Sequence, residues 1–160
     1  MRASRHCAEM IAGFEGGQGP DGKFHPYWDS AGNVWTIGYG HTGGVSHDSK
    51  PLTKAEAEAL LEHDLNHAYA PAVAGQLAAY GIHTFNRNRF DALVSLAYNL
   101  GPGILAPVHT VGAELKAHHW RKAADAILLY DFAGGRKLAG LTRRREAERA
   151  LFLKRTSVKA

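Results

Sequence analysis

Residues 14–44 read FEGGQGPDGKFHPYWDSAGNVWTIGYGHTGG, and how this run folds decides the architecture of the chain. Glycine costs backbone entropy in ordinary structure, so its density here implies sharp turns or a close approach of backbone to something else. Just upstream, Cys7, Met10, Ile11 and Phe14 fall at i, i+3, i+4 and i+7. That spacing predicts a short amphipathic helix beginning near Ser4 and stopped by Gly16 and Gly17. Residues 18–47 carry no helical period. The turn-forming DSAGN followed by the β-branched and aromatic VWTIGYG reads as a small, glycine-rich antiparallel sheet or hairpin.

Downstream the pattern changes to helices. Thr53 followed by Glu56 is a capping box, and good helix formers continue to Tyr80, with Pro71 expected to kink or break the run. Further helical segments are expected over 88–99, 110–118, 120–130 and 142–154, separated by GPG and AGGRKLAG. Strands and helices that segregate along a chain point to an α+β fold rather than an alternating α/β one. A small N-terminal sheet lobe and a larger helical lobe leave a cleft between them, a preferred place for a site.

The chain has 160 residues, 45% of them hydrophobic and 21% charged, which suits one globular domain with a real core. Its single cysteine, Cys7, excludes an internal disulfide and a cysteine-based zinc site. No stretch approaches the roughly 20 apolar residues of a membrane helix, and the start is too interrupted by Glu9 for a signal peptide. The chain therefore reads as a soluble protein made in the cytoplasm. The net charge of +4, concentrated near the C-terminus, favours encounter with a polyanion, whether nucleic acid, anionic lipid or bacterial wall, without choosing among them. The arginines form one cluster without interleaved stacking aromatics, so nucleic acid is not the expected partner.

Two carboxyls stand out. Glu15 follows the apolar stripe at the C-terminal end of the first helix, where unpaired carbonyls and partial burial disfavour a negative charge, as a general acid requires. Asp29 lies in the turn before the second strand, and Thr36 begins TIGYG. A protonated and an ionised carboxyl across a cleft are the means of cleaving a glycosidic bond, with a hydroxyl to help hold the water. Each also has a plain structural reading: a glutamate at a helix end, an aspartate forming a turn, a threonine in a strand. Asp21, in GPDGK, is the competing second carboxyl. His63 and His67 lie four apart on a helix but lack the HExxH pattern and a third partner, so no metal is expected.

The order of Glu15 in FEG, Asp29 in YWDSAGN, and WTIGYGHT over 35–42 resembles the active-site lobe of phage-type lysozymes, the endolysins of glycoside hydrolase family 24. LTKAEAEALLEHDL, FDALVSLAYNLGPG and AGGRKLAGLTRRREAERALF extend the resemblance over nearly the whole chain. It implies a single lysozyme-like domain over 1–160, with lobes at about 14–52 and 53–160 and the first helix packed on the C-terminal lobe. It implies a muramidase that hydrolyses the β-1,4 bond between N-acetylmuramic acid and N-acetylglucosamine in peptidoglycan, needs no cofactor, acts as a monomer and inverts the anomeric centre.

By the same resemblance Glu15 is the general acid, and Asp29 and Thr36 position or activate the water. Tyr39, His41, Asn99 and Arg144 complete the substrate-binding set. Asn99 corresponds to a cleft residue that bonds a sugar's N-acetyl group, and Arg144 to an arginine that pairs with the catalytic glutamate. His41 is expected to serve mainly through structural hydrogen bonds. The segment between Glu15 and Asp29 is several residues longer than the family's usual one. Two rivals remain: a lytic transglycosylase, against which Asp29 and Thr36 argue, and a noncatalytic module binding the wall through the basic C-terminal helix. By analogy with endolysins, the protein is expected to accumulate in the host cytoplasm and reach the wall through a separate pore, without stable membrane association.

Overall fold

The computed structural model describes residues 1–156; the last four residues of the basic C-terminal stretch, Lys159 among them, lie outside the described residues. Helix α1 runs Arg5–Glu15. Its N-cap is Ser4, whose hydroxyl accepts from the Cys7 amide at 3.2 Å, as a free helix start requires. Ser4 also donates from its amide to Asp91 Oδ1 at 3.1 Å, while its hydroxyl lies 2.5 Å from Asp91 Oδ2. Those bonds tie the start of α1 to α4 (Arg87–Leu100). Cys7, Ala8 and Ile11 are its buried face. It ends at Gly16, whose φ of 62° an L side chain rarely adopts.

Strands β1 (Tyr27–Asp29) and β2 (Val34–Thr36) form the antiparallel hairpin of the small lobe. Tyr27 pairs with Thr36, Trp28 with Trp35 and Asp29 with Val34. Because side chains alternate along a strand, Tyr27, Asp29 and Thr36 share one face, and the two tryptophans meet edge-to-face at 5.7 Å on the other. The second strand is shorter than VWTIGYG suggests. After Thr36 the chain makes a tight loop in which Ile37 and His41 exchange both backbone hydrogen bonds at 2.9 Å.

The helical lobe begins with α2 (Lys54–Asp64), whose capping box is formed in full by Thr53 and Glu56. A π turn over Leu65–Tyr69 then leads into α3 (Ala70–Ala79), which carries Pro71 in its first turn. Proline there lacks an amide hydrogen and crowds the carbonyl four residues back; the wider turn, with Ala70 bonding Leu65, carries the chain past it. α4 is the central element: Phe90 to Ala97 are all buried. A 3₁₀ turn over Pro102–Leu105 connects it to α5 (Thr110–Lys116) and α6 (Trp120–Ile127).

The linker AGGRKLAG holds structure that the sequence reading passed over. β3 (Phe132–Ala133) and β4 (Arg136–Lys137) make a small hairpin around Gly134 and Gly135, the Gly-Gly pair favoured by tight hairpin turns. α7 then runs Ala139–Leu153, starting three residues before the expected 142 because Leu138 already accepts from the Thr142 amide. The fold is α+β: a two-stranded hairpin lobe beside a bundle in which α4 packs against α1 and α7.

Candidate active site

The cleft between hairpin and bundle is lined by Glu15, Tyr27, Asp29, Thr36, Tyr69 and Asn99, together with Gly40, Thr42 and Tyr98. This hollow of about 240 Å³ adjoins a second of about 580 Å³ between Phe14, Leu138 and Arg143. Glu15 and Asn99 border both hollows, so the groove runs past the glutamate and is large enough for a polymer chain.

Glu15 reaches the groove because α1 ends there. Its side chain keeps 26% of its exposure, and Oε1 accepts from Arg144 Nη1 at 2.6 Å. Arg144 is itself buried on α7, with its guanidinium 5.4 Å from the Phe14 ring. Its other nitrogens are also engaged: Nε donates to Glu148 Oε1 at 3.2 Å and Nη2 to the Ser95 carbonyl at 3.3 Å. A guanidinium fixed on three sides presents a rigid donor and so fixes the orientation of the carboxyl.

Asp29 faces the same groove from the end of β1. Oδ1 accepts from the Ala31 amide at 3.0 Å, which folds the turn under the carboxylate. A Cβ at Gly32 would lie 3.0 Å from Oδ2, so a larger residue there would press on the Asp29 carboxylate. Thr36 is buried on the same hairpin face, and its hydroxyl meets the Val34 carbonyl only at 3.5 Å, the limit of a hydrogen bond. Asp21 is elsewhere: its carboxylate bonds His25 at 2.7 Å and the Lys23 amide at 3.0 Å in an exposed turn. The His25 bond, then the backbone bond, hold its carboxyl below the usual aspartate range.

Of the four residues expected to bind substrate, Asn99 and Arg144 border the groove. Asn99 Oδ1 is buried without a hydrogen-bond partner among the described residues, and an acceptor left this way costs stability until a ligand donor meets it. Tyr39 is a correction: its ring is buried in the core, edge-to-face on Phe24 at 4.8 Å, and it contributes a backbone carbonyl instead. That carbonyl accepts the Tyr98 hydroxyl at 2.5 Å, and the bond needs Gly40, where φ is 109° and a Cβ would stand 2.9 Å from the Tyr98 oxygen. His41 bonds Asp64 Oδ2 at 2.7 Å and the Gly43 carbonyl at 2.8 Å, joining the small lobe to α2 rather than facing the groove. His63 and His67 stack ring on ring at 4.0 Å, and among the described residues no three metal-binding side chains converge.

The sequence reading missed the tyrosines. Tyr27, Tyr69 and Tyr98 surround Glu15, and burial, then nearby carboxylates, push all three phenols up from their ordinary range. They stay protonated donors at any working pH. Tyr69 and Tyr98 meet edge-to-face at 4.8 Å. It missed Ser95 and Glu148 as well, although Glu148 follows Arg144 at helical spacing.

The chain matches the family described as phage lysozyme over residues 16–148. It is 40% identical over 157 residues to the endolysin of Lactococcus phage c2, covering 98% of this chain and 62% of that protein. With the SAR-endolysin of Enterobacteria phage P21 it shares 36% identity over 145 residues, 90% of this chain and 84% of the relative. The chain thus spans less than two thirds of the length of some curated relatives it matches. Among solved structures, a P22 lysozyme variant superposes with a TM-score of 0.75 at 32% identity, covering 96% of this chain and 99% of the other. The muramidase domain of SpmX from Asticaccaulis excentricus superposes with the same TM-score of 0.75 at 31% identity, over 96% and 98%.

Proposed function

Since the chain belongs to the phage lysozyme family, we propose that it is a muramidase cleaving the β-1,4 bond after N-acetylmuramic acid in bacterial peptidoglycan, as the lytic enzyme of a phage. The observation that carries this reading is the groove in which Glu15, clamped by Arg144, meets Asp29 and Thr36 on one hairpin face. The endolysin relatives and the muramidase domain of similar fold support it.

In this reading Glu15, in its protonated form, gives its proton to the leaving glycosidic oxygen as the C–O bond breaks. Asp29, held by its turn, accepts a proton from a water that Thr36 helps to hold, and that water attacks the anomeric carbon from the opposite face. The product is a new reducing end of inverted configuration. Asn99 offers its unpaired oxygen to the N–H of an N-acetyl group. Arg144 orients the acid. The protein works on the wall as a monomer after synthesis in the host cell. No helix among the described residues is long and apolar enough to cross a membrane. Passage to the wall through a separate pore is proposed by analogy with endolysins.

The test is digestion of purified peptidoglycan in ¹⁸O-water. A hydrolase places one heavy oxygen on each new reducing-end N-acetylmuramic acid, and early NMR spectra show the α anomer first. Anhydro ends without label make the enzyme a transglycosylase, and no new ends make it a binding module.

A further inference from the structure

The most buried charges in the molecule are not in the groove. Arg145 and Glu148 are fully buried on α7, Ser95 is fully buried on α4, and Arg144 is 4% exposed. Glu148 Oε1 accepts from Ser95 Oγ at 2.7 Å, Arg145 Nη2 at 3.0 Å and Arg144 Nε at 3.2 Å. Arg145 Nε closes on Oε2 at 2.7 Å, a contact of charges without hydrogen-bond alignment. Burial pushes the Glu148 carboxyl up from its ordinary range, and the Arg145 charge, the Ser95 bond and Arg144 act against that; a carboxyl that accepts in every bond, with guanidinium against both oxygens, is read as ionised on that geometry. Burying so many charges is expensive, and packing alone would be served as well by apolar side chains of the same volume.

We propose that Glu148 is a positioning residue for the catalytic acid: it holds Arg144 on Glu15 and cancels the charge of Arg145, so that Glu15 meets one net positive charge instead of two. This rests on the reading of Glu15 as the acid. The charge count gives the reason. Arg144, Arg145 and Glu148 together carry +1, which ionised Glu15 balances and protonated Glu15 leaves in place. Without Glu148 the same carboxyl would face +2, and added positive charge favours the ionised form of a carboxyl over the acid form.

Little else charged interferes. Tyr98 from α4, Tyr69 from the π turn and Tyr27 from β1 face Glu15, and all stay neutral; the other carboxylates are Asp29 beside Tyr27 and Asp64 of α2, bonded to His41, beside Tyr69 and Tyr98. Cys7 of α1 lies near Glu148, and Asp91 and Arg87 of α4 also act on its thiol. Burial keeps the thiol protonated, and Asp91 is bonded to Ser4. Asp131, just before β3, acts on Arg145.

The experiment compares pH–rate profiles for solubilisation of purified peptidoglycan by the unaltered protein, Glu148→Gln, Arg145→Gln and the double variant, with thermal melting to confirm folding. An acid must be protonated, so activity falls on the basic limb. Glu148→Gln should move that limb down by about one pH unit, Arg145→Gln should move it up by a similar amount, and the double variant should return it to its original place. A merely structural role would lower the rate without such opposed shifts. If Glu148→Gln does not fold, Arg145→Gln carries the test with the opposite sign, and the double variant buries no uncompensated charge. Limbs that coincide in folded single variants, or that move the same way, overturn the proposal. Glu15→Gln separates the two levels: retained hydrolysis overturns the acid and the tuning together, whereas its loss with unmoved limbs overturns the tuning alone.

Discussion

Replacing Arg144 by methionine removes the guanidinium while keeping much of its apolar stem. Glu148 retains Arg145 and Ser95, so that buried pair stays neutral and the large penalty for an orphaned buried charge is avoided. What is lost is the donor to the Ser95 carbonyl and the buried Nε bond to Glu148, each at about 1–3 kcal/mol, and the pair with Glu15, at about 1 kcal/mol because that side chain is partly in water. The sum, roughly 3–7 kcal/mol, lowers the melting temperature by roughly 6–28 °C for a chain of this length. The activity should fall further than stability explains. A carboxyl free to rotate is misplaced by an ångström or more, which costs on the order of 10² in kcat with KM little changed. Melting curves and initial rates of peptidoglycan solubilisation, measured well below the melting temperature, read both effects. Rates within threefold of the unaltered protein, at the expected loss of stability, would refute the claim that Arg144 orients the acid.

Gly112→Ala should destabilise by more than about 3 kcal/mol, since its Cβ would stand 2.1 Å from the Ala106 carbonyl oxygen and backbone must move; melting temperature reads it, and an unchanged value contradicts the close packing of α5 on the 3₁₀ turn. The Cys7 thiol, fully buried with its proton held tightly by burial and by Asp91, should resist a maleimide in the native protein and react only after unfolding, as mass spectrometry would show. Asp131 has its carboxyl held below the ordinary value of 3.8, first by the Thr142 hydroxyl at 2.8 Å and also by Lys137. A depressed carboxylate stabilises above its unfolded value and loses that contribution as pH falls through its folded one. Asp131→Asn should therefore lower stability at pH 7 and approach the unaltered protein as the pH falls through the lowered folded value of Asp131, read by denaturant unfolding at pH 7 and over a descending acid series.

Much of the architecture was legible because local signals agreed with the tertiary result. The stripe of Cys7, Ile11 and Phe14 ends where Gly16 turns, and that turn is what delivers Glu15 to the groove. The Thr53 capping box formed, and the break at Pro71 took the form of a π turn. The resemblance sets Tyr39 among the binding residues, whereas Gly38 and Gly40, both at positive φ, flank it and its ring packs inward against Phe24. The hairpin around Gly134 escaped because two-residue strands carry no periodic signal. The resemblance sets Arg144 beside the acid, but the charge pattern of TRRREAER does not show which side of the helix a neighbour covers, so it gives no sign of the burial of Arg145 and Glu148. Packing of α7 on α4 buries Arg144, Arg145 and Glu148 and so makes that face the support of the acid.

The central claim is that Glu15 supplies the proton. Its most direct test is release of reducing-end N-acetylmuramic acid from purified peptidoglycan by the unaltered protein and by Glu15→Gln, each shown by melting to be folded. The account predicts release by the first and a loss of at least about 10³-fold in the second, whose amide cannot act as the acid. A folded Glu15→Gln protein that keeps more than a few per cent of the activity would contradict it.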